Sequence, residues 1–309
     1  MSDFYDPTRR HDFVLLFDVM DGNPNGDPDA GNLPRIDPET MQGLVTDAAL
    51  KRKVRNYVDA VRGHEERFKI YVQNRGILND QHRRAYEALE AAGEITLPSS
   101  ASDRAKVYKN PPASTMQVAR EWMCRNFYDV RTFGAVMSTA INCGQVRGPV
   151  QLTFARSIDK ILPLDVSITR VALTNATDIR GGSEEDAEAR ASQMGRKSIV
   201  PYGLYRAFGF YNPALAAGTG FDAEDLELLL QALQGMWDLD RSASRGLMAC
   251  RGLYVFTHST SLGNAPANRL FDQLTIALKP GIQVARSFED YEVHVDDALP
   301  NGVALSQLA

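Results

Sequence analysis

The sequence lacks the motifs that identify common hydrolases and nucleotide-binding enzymes. Its five histidines form no His-x-x-x-His pair and its three cysteines form no Cys-x-x-Cys pair, which argues against a zinc site. Neither a Gly-x-x-x-x-Gly-Lys-[Ser/Thr] nor a Gly-x-Gly-x-x-Gly motif occurs, and no serine-hydrolase signature is present. The widely spaced cysteines also argue against disulfides and indicate a reducing compartment, for which we expect the cytoplasm.

Three further absences narrow the possible functions. No apolar run reaches about 18 residues, so no transmembrane helix is predicted. The N-terminal residues contain no basic region followed by an apolar one, so we expect no secretory signal. The basic-Gly-aromatic-Gly-aromatic motif of RNA-binding sheets is also missing. Any RNA binding is therefore expected to use backbone contacts and shape rather than bases stacked on sheet aromatics.

The net charge of −5 weighs, taken alone, against a nucleic-acid-binding protein. The charge is unevenly distributed, however, because basic residues concentrate in 51–84 and acidic residues in the C-terminal segment 286–309. A basic surface opposite an acidic one suits head-to-tail self-association, whereas ordinary solvated charge is the alternative interpretation.

The order of the predicted elements favours an α+β fold, because strands and helices alternate irregularly. The apolar run Phe13–Val19 predicts a buried strand, and 43–62 carries apolar residues at helical spacing. Asp222 is a suitable N-cap for an amphipathic helix. We also expect a short surface helix at 79–92, a polar break at 93–113 that is a mobile loop or the edge of an insertion, and a helix at Ser114–Phe127. Further strands are expected at Asp165–Leu173, Ser198–Tyr211 and Gly252–Thr257.

A polar turn that follows the first strand is the most informative feature. It runs from Asp21 to Asp29 and leads, through Pro34-Arg35-Ile36-Asp37-Pro38, into a helix that carries basic residues. A strand, a rigid turn and a basic helix together form a plausible phosphate-binding corner. The candidate contact residues in this corner are Asn23, Asn25, Arg35, Lys51, Arg52 and Arg55.

Two other segments offer candidate anion-binding residues. In Gly144-Gln145-Val146-Arg147-Gly148, flanking glycines allow close backbone approach, Arg147 supplies a phosphate fork, and Gln145 can bond a ribose or a base edge. A strand-to-strand turn with an exposed arginine is the alternative. Met194-Gly195-Arg196-Lys197 ends a long polar excursion between strands, at 174–197. Such an excursion is functional or disordered, and its basic end is either a backbone contact or a solvated loop.

The carboxylates near the turn raise the possibility of a magnesium site. Asp21, Asp27, Asp29 and Asp37 are spaced closely enough in sequence to form such a site, as in metal-dependent nucleases. Most of them stand beside glycine or proline, where aspartate is the usual turn former. We therefore favour turn formation and keep a nuclease that uses Asp27, Asp29 and Asp37 as an alternative.

Four groups of motifs occur in a fixed order between about residues 13 and 211. They are Asn23-Pro24-Asn25-Gly26-Asp27-Pro28 with Leu33-Pro34-Arg35-Ile36-Asp37-Pro38; Gly43-Leu44-Val45-Thr46-Asp47 with Leu50-Lys51-Arg52-Lys53-Val54-Arg55; Arg131-Thr132-Phe133-Gly134-Ala135 with Gly144-Gln145-Val146-Arg147-Gly148-Pro149-Val150-Gln151; and Met194-Gly195-Arg196-Lys197 with Val200-Pro201-Tyr202-Gly203-Leu204-Tyr205. In this order they resemble the backbone subunit of type I-C CRISPR surveillance (Cascade) complexes, of the RAMP superfamily. The C-terminal third resembles that family less distinctively.

The resemblance implies a modified RNA-recognition (ferredoxin-like) palm spanning 1–309, with a fingers-like insertion at about 66–113 and a thumb at about 174–197. It adds Arg131 to the candidate RNA contacts, beside Met194, a flexible apolar side chain that can act as a wedge next to the two cations of its segment. It implies no cofactor, and it implies a non-catalytic subunit that stacks head to tail along a CRISPR RNA. The implied partners are other copies of the chain, the RNA-processing subunit, the large subunit, the recruited nuclease-helicase and, through the guide, target DNA.

Three hypotheses therefore remain open. The first is a guide-RNA-binding filament subunit without catalytic activity. The second is a metal-dependent RNA nuclease that uses the aspartates above. The third is a scaffold that binds only proteins. The first requires contacts that do not depend on base sequence, because guide sequences vary; phosphate and ribose contacts meet this requirement.

Overall fold

The protein is built around one large antiparallel sheet. A computed structural model describes residues 3–170, 193–296 and 298–309. The first strand, β1 (His11–Gly22), lies at the centre of the sheet, between two long strands, β10 (Gln193–Tyr211) and β11 (Leu247–His258). The apolar run that predicted a buried strand is thus paired along both of its edges.

The remaining elements surround these three strands. The other strands are β2 (Gly26–Asp27), β3 (Leu33–Pro34), β4 (Gln42–Val45), β5 (Gly134–Ser138), β6 (Asn142–Arg147), β7 (Val150–Leu152), β8 (Ala155–Lys160), β9 (Leu164–Arg170), β12 (Leu274–Leu278), β13 (Tyr291–Val295) and β14 (Val303–Gln307). The helices are α1 (Asp47–Arg62), α2 (Leu78–Ala91), α3 (Ala101–Lys109), α4 (Ala113–Asn126), α5 (Tyr128–Phe133), α6 (Pro213–Thr219), α7 (Ala223–Leu239) and α8 (Ala267–Phe271). None of the described helices is long and apolar enough to cross a bilayer.

The strand order confirms the α+β prediction and the ferredoxin-like palm. The palm elements follow the chain order β1, α1, β8, β10, α7, β11, which is a β-α-β-β-α-β sequence. In space the strands lie in the order β11-β1-β10-β8, and each neighbouring pair is antiparallel. β14 extends this sheet beyond β11, and β4 extends it beyond β8.

Alternating residues of β1 contribute to two separate cores. Phe13, Leu15 and Phe17 point to one face and pack with the buried apolar residues of α1 and α7. The ring of Phe17 stacks on Trp237 of α7 at 4.5 Å. Asp222 caps α7 as predicted: its side chain accepts a hydrogen bond from the backbone N–H of Asp225, and the two residues form a capping box.

The opposite face of the sheet is largely covered. Val14 and Leu16 pack there with Tyr254, Phe256 and residues of α8 and β12. Phe271 of α8 stacks on Phe208 of β10 at 4.4 Å. The aromatic side chains of this face are therefore occupied by the protein itself, consistent with the missing sheet-stacking motif.

A second lobe with its own core is inserted between α1 and β7. Its buried residues extend from Tyr71 to Cys143 and come from α2, α4, α5 and the β5–β6 hairpin. The range 79–92 is not simply a surface helix, because α2 buries His82 and Tyr86. The polar segment 93–113 is not a loop throughout, because α3 lies within it. The lobe thus continues past the fingers-like range of 66–113.

The structure describes almost all of the predicted acidic segment but only the end of the predicted thumb. The acidic segment 286–309 contains β13, which pairs with β12, and β14, which forms an edge of the main sheet beside β11. The thumb range 174–197 lies outside the described residues except for 193–197, which begin β10. Both ranges remain predictions as functional units.

Gly209 of β10 provides a test of the close packing between the central strands. A Cβ atom at Gly209 would lie 2.1 Å from the ring of Phe13. We expect Gly209→Ala to lower the free energy of unfolding by about 1–3 kcal/mol, because a well-packed core does not accommodate an added methyl group. Urea denaturation followed by circular dichroism measures this change.

The matched control is Gly218→Ala in α6. A Cβ atom there would have no heavy atom within 4 Å. Alanine in an exposed helical position should leave stability unchanged or raise it by about 0.5–1 kcal/mol. Equal effects of the two substitutions would contradict the packing described for Phe13.

Candidate nucleic-acid interface

The turn after β1 is fixed by its own asparagine side chains. The Asn25 Oδ1 atom accepts hydrogen bonds from the backbone N–H of Thr46 at 2.9 Å and from its hydroxyl at 3.0 Å. Thr46 in turn caps α1 by accepting from the N–H of Ala49 at 3.2 Å. Asn23 is buried and donates to the carbonyl of Asn32 at 2.8 Å. Both asparagines thus shape the turn and hold it against the start of α1.

Two arginines brace the same turn. Arg35 forms an ion pair with Asp27 at 3.3 Å. Arg245, which follows α7, donates to the carbonyls of Asn23 at 3.3 Å and Pro24 at 3.2 Å. The turn is consequently held by distant parts of the chain as well as by its own residues.

The beginning of β10 lies beside this turn. Arg196 and Lys197 share a cleft of about 340 Å³ with Asn23, Asn32 and Ser244. Lys197 donates from Nζ to the carbonyl of Ala243 at 3.2 Å, and Arg196 is exposed. The backbone of Met194 belongs to β10, and its side chain lies outside the described part of the chain.

The basic flank of α1 is largely neutralised within the protein. Lys51 pairs with Asp47 at 2.8 Å, and Arg55 pairs with the buried Asp129, also at 2.8 Å. Both cations lie 5.6 Å from the centre of the Phe133 ring. Arg55 is therefore mainly a brace between α1 and α5, whereas Lys51 lies nearer the end of the helix that contacts the turn.

Arg52 and Lys53 extend toward the end of α7. Arg52 is 45% exposed and pairs with Asp240 at 3.3 Å. Lys53 is buried and forms an ion pair with the same carboxylate. Burial lowers the pKa of the Lys53 ammonium to about 8. Arg52 is the one of these two that solvent or a ligand can reach.

The segment 144–148 is the end of a strand and not the turn or loop expected from its glycines. Gly144 to Arg147 belong to β6, and Arg147 stands opposite Gly134 of β5. Gly134 has a φ of +82°, and a Cβ atom on Gly148 would lie 2.4 Å from the Gly134 nitrogen. Glycine is thus required here for close backbone packing. Gln145 and Arg147 are exposed.

Arg147 stands in an arginine-rich cleft. The cleft has a volume of about 660 Å³ and also contains Arg120 and Arg125 of α4, together with Glu94 and Glu121. Across residues 3–170, 193–296 and 298–309, these three arginines make no ion pair. Their guanidinium groups are available to an anionic ligand.

Arg131 corrects an expectation from the sequence, because it does not face solvent. It is buried, and its guanidinium binds Asp225 through Nε at 2.8 Å and Nη2 at 2.7 Å. Its Nη1 donates to the carbonyl of Arg67 at 2.6 Å. The side chain has no group left to offer an RNA, and we remove it from the candidate contacts.

A line of contacts joins several of the remaining candidates. The cleft at Lys197 adjoins the turn, and Asn25 in the turn binds the residue that caps α1. Lys51, in the second turn of α1, lies over Phe133, whose neighbour Gly134 pairs with Arg147. We call this line the basic track, defined by Arg196, Lys197, Lys51, Gln145 and Arg147.

Most of this chain matches the sequence model of a known protein family. A family model described as CRISPR-associated protein Cas7 matches residues 9–296. The chain belongs to the Cas7 family. A curated CRISPR-associated protein Cas7 of Haloferax volcanii is 25% identical over 238 residues, which cover 71% of this chain. This chain spans 62% of the length of that relative.

Solved structures with low similarity to this Cas7 chain include two CRISPR complexes. A chain titled "CRISPR RNA-guided surveillance complex, pre-nicking" is 14% identical, with a TM-score of 0.49 and coverage of 80% of this chain and 78% of that chain. A chain of "Type III-B Cmr-beta bound to cognate target RNA" is 13% identical, with a TM-score of 0.39 and coverage of 80% and 61%. The strand order of the palm is by itself that of a ferredoxin-like sheet.

The aspartates of the alternative nuclease site serve the turn of this Cas7 protein. Asp27 accepts a hydrogen bond from the N–H of Asp29 at 3.2 Å. Asp37 pairs with Arg156 at 2.7 Å. This ion pair, together with hydrogen bonds donated by two backbone N–H groups, holds the pKa of the Asp37 carboxyl below its usual value. No group of three His, Cys, Asp or Glu residues within the described ranges is arranged to hold a metal ion.

Three arginines of this surface were not selected from the sequence. Arg120 and Arg125 lie on a helix that was predicted, but their proximity to Arg147 depends on how the second lobe folds. Arg245 follows α7 and reaches a turn more than 200 residues earlier. No local motif marks any of them, because each owes its position to a contact between distant segments.

The buried pair of Arg131 and Asp225 gives a stability prediction. We expect Arg131→Gln to lower the free energy of unfolding by about 3–5 kcal/mol, because the substitution leaves the Asp225 carboxylate buried without its partner. Guanidinium chloride denaturation measures the change.

Arg83→Gln is the matched control for this substitution. Arg83 is 49% exposed and pairs with Asp80 on the surface of α2, so its loss should cost at most about 1 kcal/mol. A stable Arg131→Gln protein that has lost RNA binding would instead favour the contact role inferred from the sequence.

Proposed function

We propose that this Cas7 protein is a non-catalytic subunit that binds CRISPR RNA and assembles head to tail along the guide. In this role it presents the guide for pairing with target DNA in type I-C interference, in the cytoplasm. The observation that carries the proposal is the line of contacts joining Lys197, Lys51 and Arg147. The three cations belong to separate elements, and these contacts link the segments that carry them into one series.

The chemistry of the basic track suits binding that ignores base sequence. Its members are cations and one amide, which bind phosphate oxygens and ribose hydroxyls rather than particular base edges. The sheet aromatics that could stack bases, such as Phe208 and Phe256, pack against Phe271 instead. The track thus supports a backbone-binding mode in which guides of any sequence are accepted.

The acidic net charge is compatible with this role. Only the track needs to be basic, since binding free energies along a multimer add through the shared RNA. The resemblance to the type I-C subunit supports the partners that we propose: other copies of the chain, the RNA-processing subunit, the large subunit and the nuclease-helicase. A scaffold that binds only proteins would purify free of RNA, whereas an RNA-binding subunit would carry RNA from expression. The ratio of nucleic-acid absorbance to protein absorbance in the purified sample distinguishes the two.

The basic track gives a binding prediction. We expect Arg147→Gln and Lys197→Gln each to weaken binding of a CRISPR RNA and to lower the salt dependence of that binding by about 0.7 units of log–log slope, as expected for one lost single-strand phosphate contact. Filter binding between low and moderate salt measures both quantities.

Arg83→Gln serves as the control, since Arg83 is an exposed arginine of α2 that takes no part in the track. Its substitution should leave affinity and slope unchanged. If the double variant at Arg147 and Lys197 bound RNA as tightly as the wild type at every salt concentration, the track would not be the RNA site.

The non-catalytic role gives a further prediction. Purified protein incubated with labelled RNA and magnesium should leave the RNA intact, because Asp27 and Asp37 are engaged in turn hydrogen bonds and ion pairs. Gel electrophoresis measures cleavage. Magnesium-dependent cutting that Asp27→Asn abolishes, while RNA binding persists, would support the nuclease alternative.

A further inference from the structure

Two arginines face each other across neighbouring strands of the palm. The register of β8 and β10 places Arg156 directly opposite Arg206. Arg206 is also opposite Leu16 of β1, so both arginines lie on the face of the sheet that points away from α1 and α7. Like charges at directly opposed positions destabilise a sheet. Their pairing here calls for a compensating anion.

Within the described part of the chain, a carboxylate lies within ion-pair distance of only one of the two guanidinium groups. Arg156 is 53% exposed and pairs with Asp37 at 2.7 Å. Arg206 is half-buried, and among the residues that the structure describes it has neither an ion pair nor a side-chain hydrogen bond. Its guanidinium lies 5.1 Å from the centre of the Phe208 ring. Partial burial lowers the pKa of Arg206, and the carboxylate of Asp272, which lies beyond ion-pair distance, opposes that shift. The arginine remains charged at neutral pH.

The two arginines open into a cleft with an exposed aromatic ring. The cleft has a volume of about 640 Å³, and Ile276 of β12 forms part of its wall. Phe154, in the connection between β7 and β8, also lines the cleft and is 53% exposed. Most other aromatic rings of the palm are buried, so an exposed phenylalanine beside two guanidinium groups is distinctive.

We propose that this cleft is a second binding site, for single-stranded nucleic acid. A phosphate group lies between Arg156 and Arg206, and an adjacent base stacks on Phe154. Arginine forks match the oxygens of a phosphate, and an aromatic face accepts any base. An acidic protein segment would satisfy the charges but would leave the exposed ring of Phe154 without a partner.

The site is separate from the basic track. Lys51 of the track lies on α1, which packs on the other face of the sheet. The cleft is therefore suited to a strand other than the guide bound in the track, either a flanking part of the same RNA or a single strand of DNA. Both present the same phosphate and base chemistry.

The test measures binding of short labelled strands by fluorescence anisotropy. Single-stranded DNA and RNA probes of about ten nucleotides are titrated with the full chain carrying Arg147→Gln and Lys197→Gln, so that binding by the track is weakened. Adding Arg206→Gln or Phe154→Leu to this background should weaken binding of at least one probe by about fivefold or more. The probe that responds identifies the kind of strand.

Thermal unfolding separates this role from a purely structural one. Removing one of two opposed positive charges should leave the melting temperature of Arg206→Gln unchanged or raise it, whereas a structural arginine would lower it on removal. The proposal is supported when affinity falls without a loss of stability. Arg83→Gln is again the control and should change neither quantity.

Three results would overturn the proposal. The first is unchanged affinity for both probes in the Arg206→Gln and Phe154→Leu variants. The second is an equal loss in the Arg83→Gln control. The third is that binding of a polyglutamate peptide depends on Arg206 while binding of the DNA and RNA probes does not. CRISPR RNA loading of the single variants Arg206→Gln and Phe154→Leu is measured in parallel, so failure of this site is distinguishable from failure of the basic track.

Discussion

A buried ion pair between Arg131 and Asp225 joins the inserted lobe to the palm. Arg131 belongs to α5, the last helix before the β5–β6 hairpin, and Asp225 lies in the first turn of α7. Asp225 also completes the capping box of α7 with Asp222 and accepts a hydrogen bond from Arg67. One carboxylate thus fixes a helix start, a helix end and the direction in which the hairpin leaves the palm. The position of Arg147 depends on this arrangement.

The surface that we propose for RNA shows how cations divide between structural and binding roles. Arg55, Arg131 and Lys53 are held by carboxylates that are buried or nearly so, where an unpaired charge of either sign would be costly. Arg147 and Arg196 stay exposed at the ends of strands. Only the second group can exchange water for phosphate without breaking the fold, so lysine and arginine content alone does not identify a nucleic-acid surface.

Much of the palm could be predicted from the sequence, and most of the second lobe could not. The apolar run of β1, the helical spacing in α1 and the Asp222 cap are local signals, and each predicted an element that the structure contains. Prolines, serines and a glycine near the ends of 93–113 predict a loop or the edge of an insertion, yet the segment contains α3. The glycines of 144–148 predict a turn, whereas in the structure they permit close packing of strands.

The sequence by itself determined the class of fold, the presence of side chains that can bind phosphate, and the turn after β1. Periodicity, capping and turn chemistry act over a few neighbouring residues, so local patterns encode them. Only the tertiary structure decided which cations stay free. Arg131 met a carboxylate 94 positions later, whereas Arg206 was set opposite another arginine by strand register. Such pairings arise from segments far apart in the chain, and no local pattern encodes them.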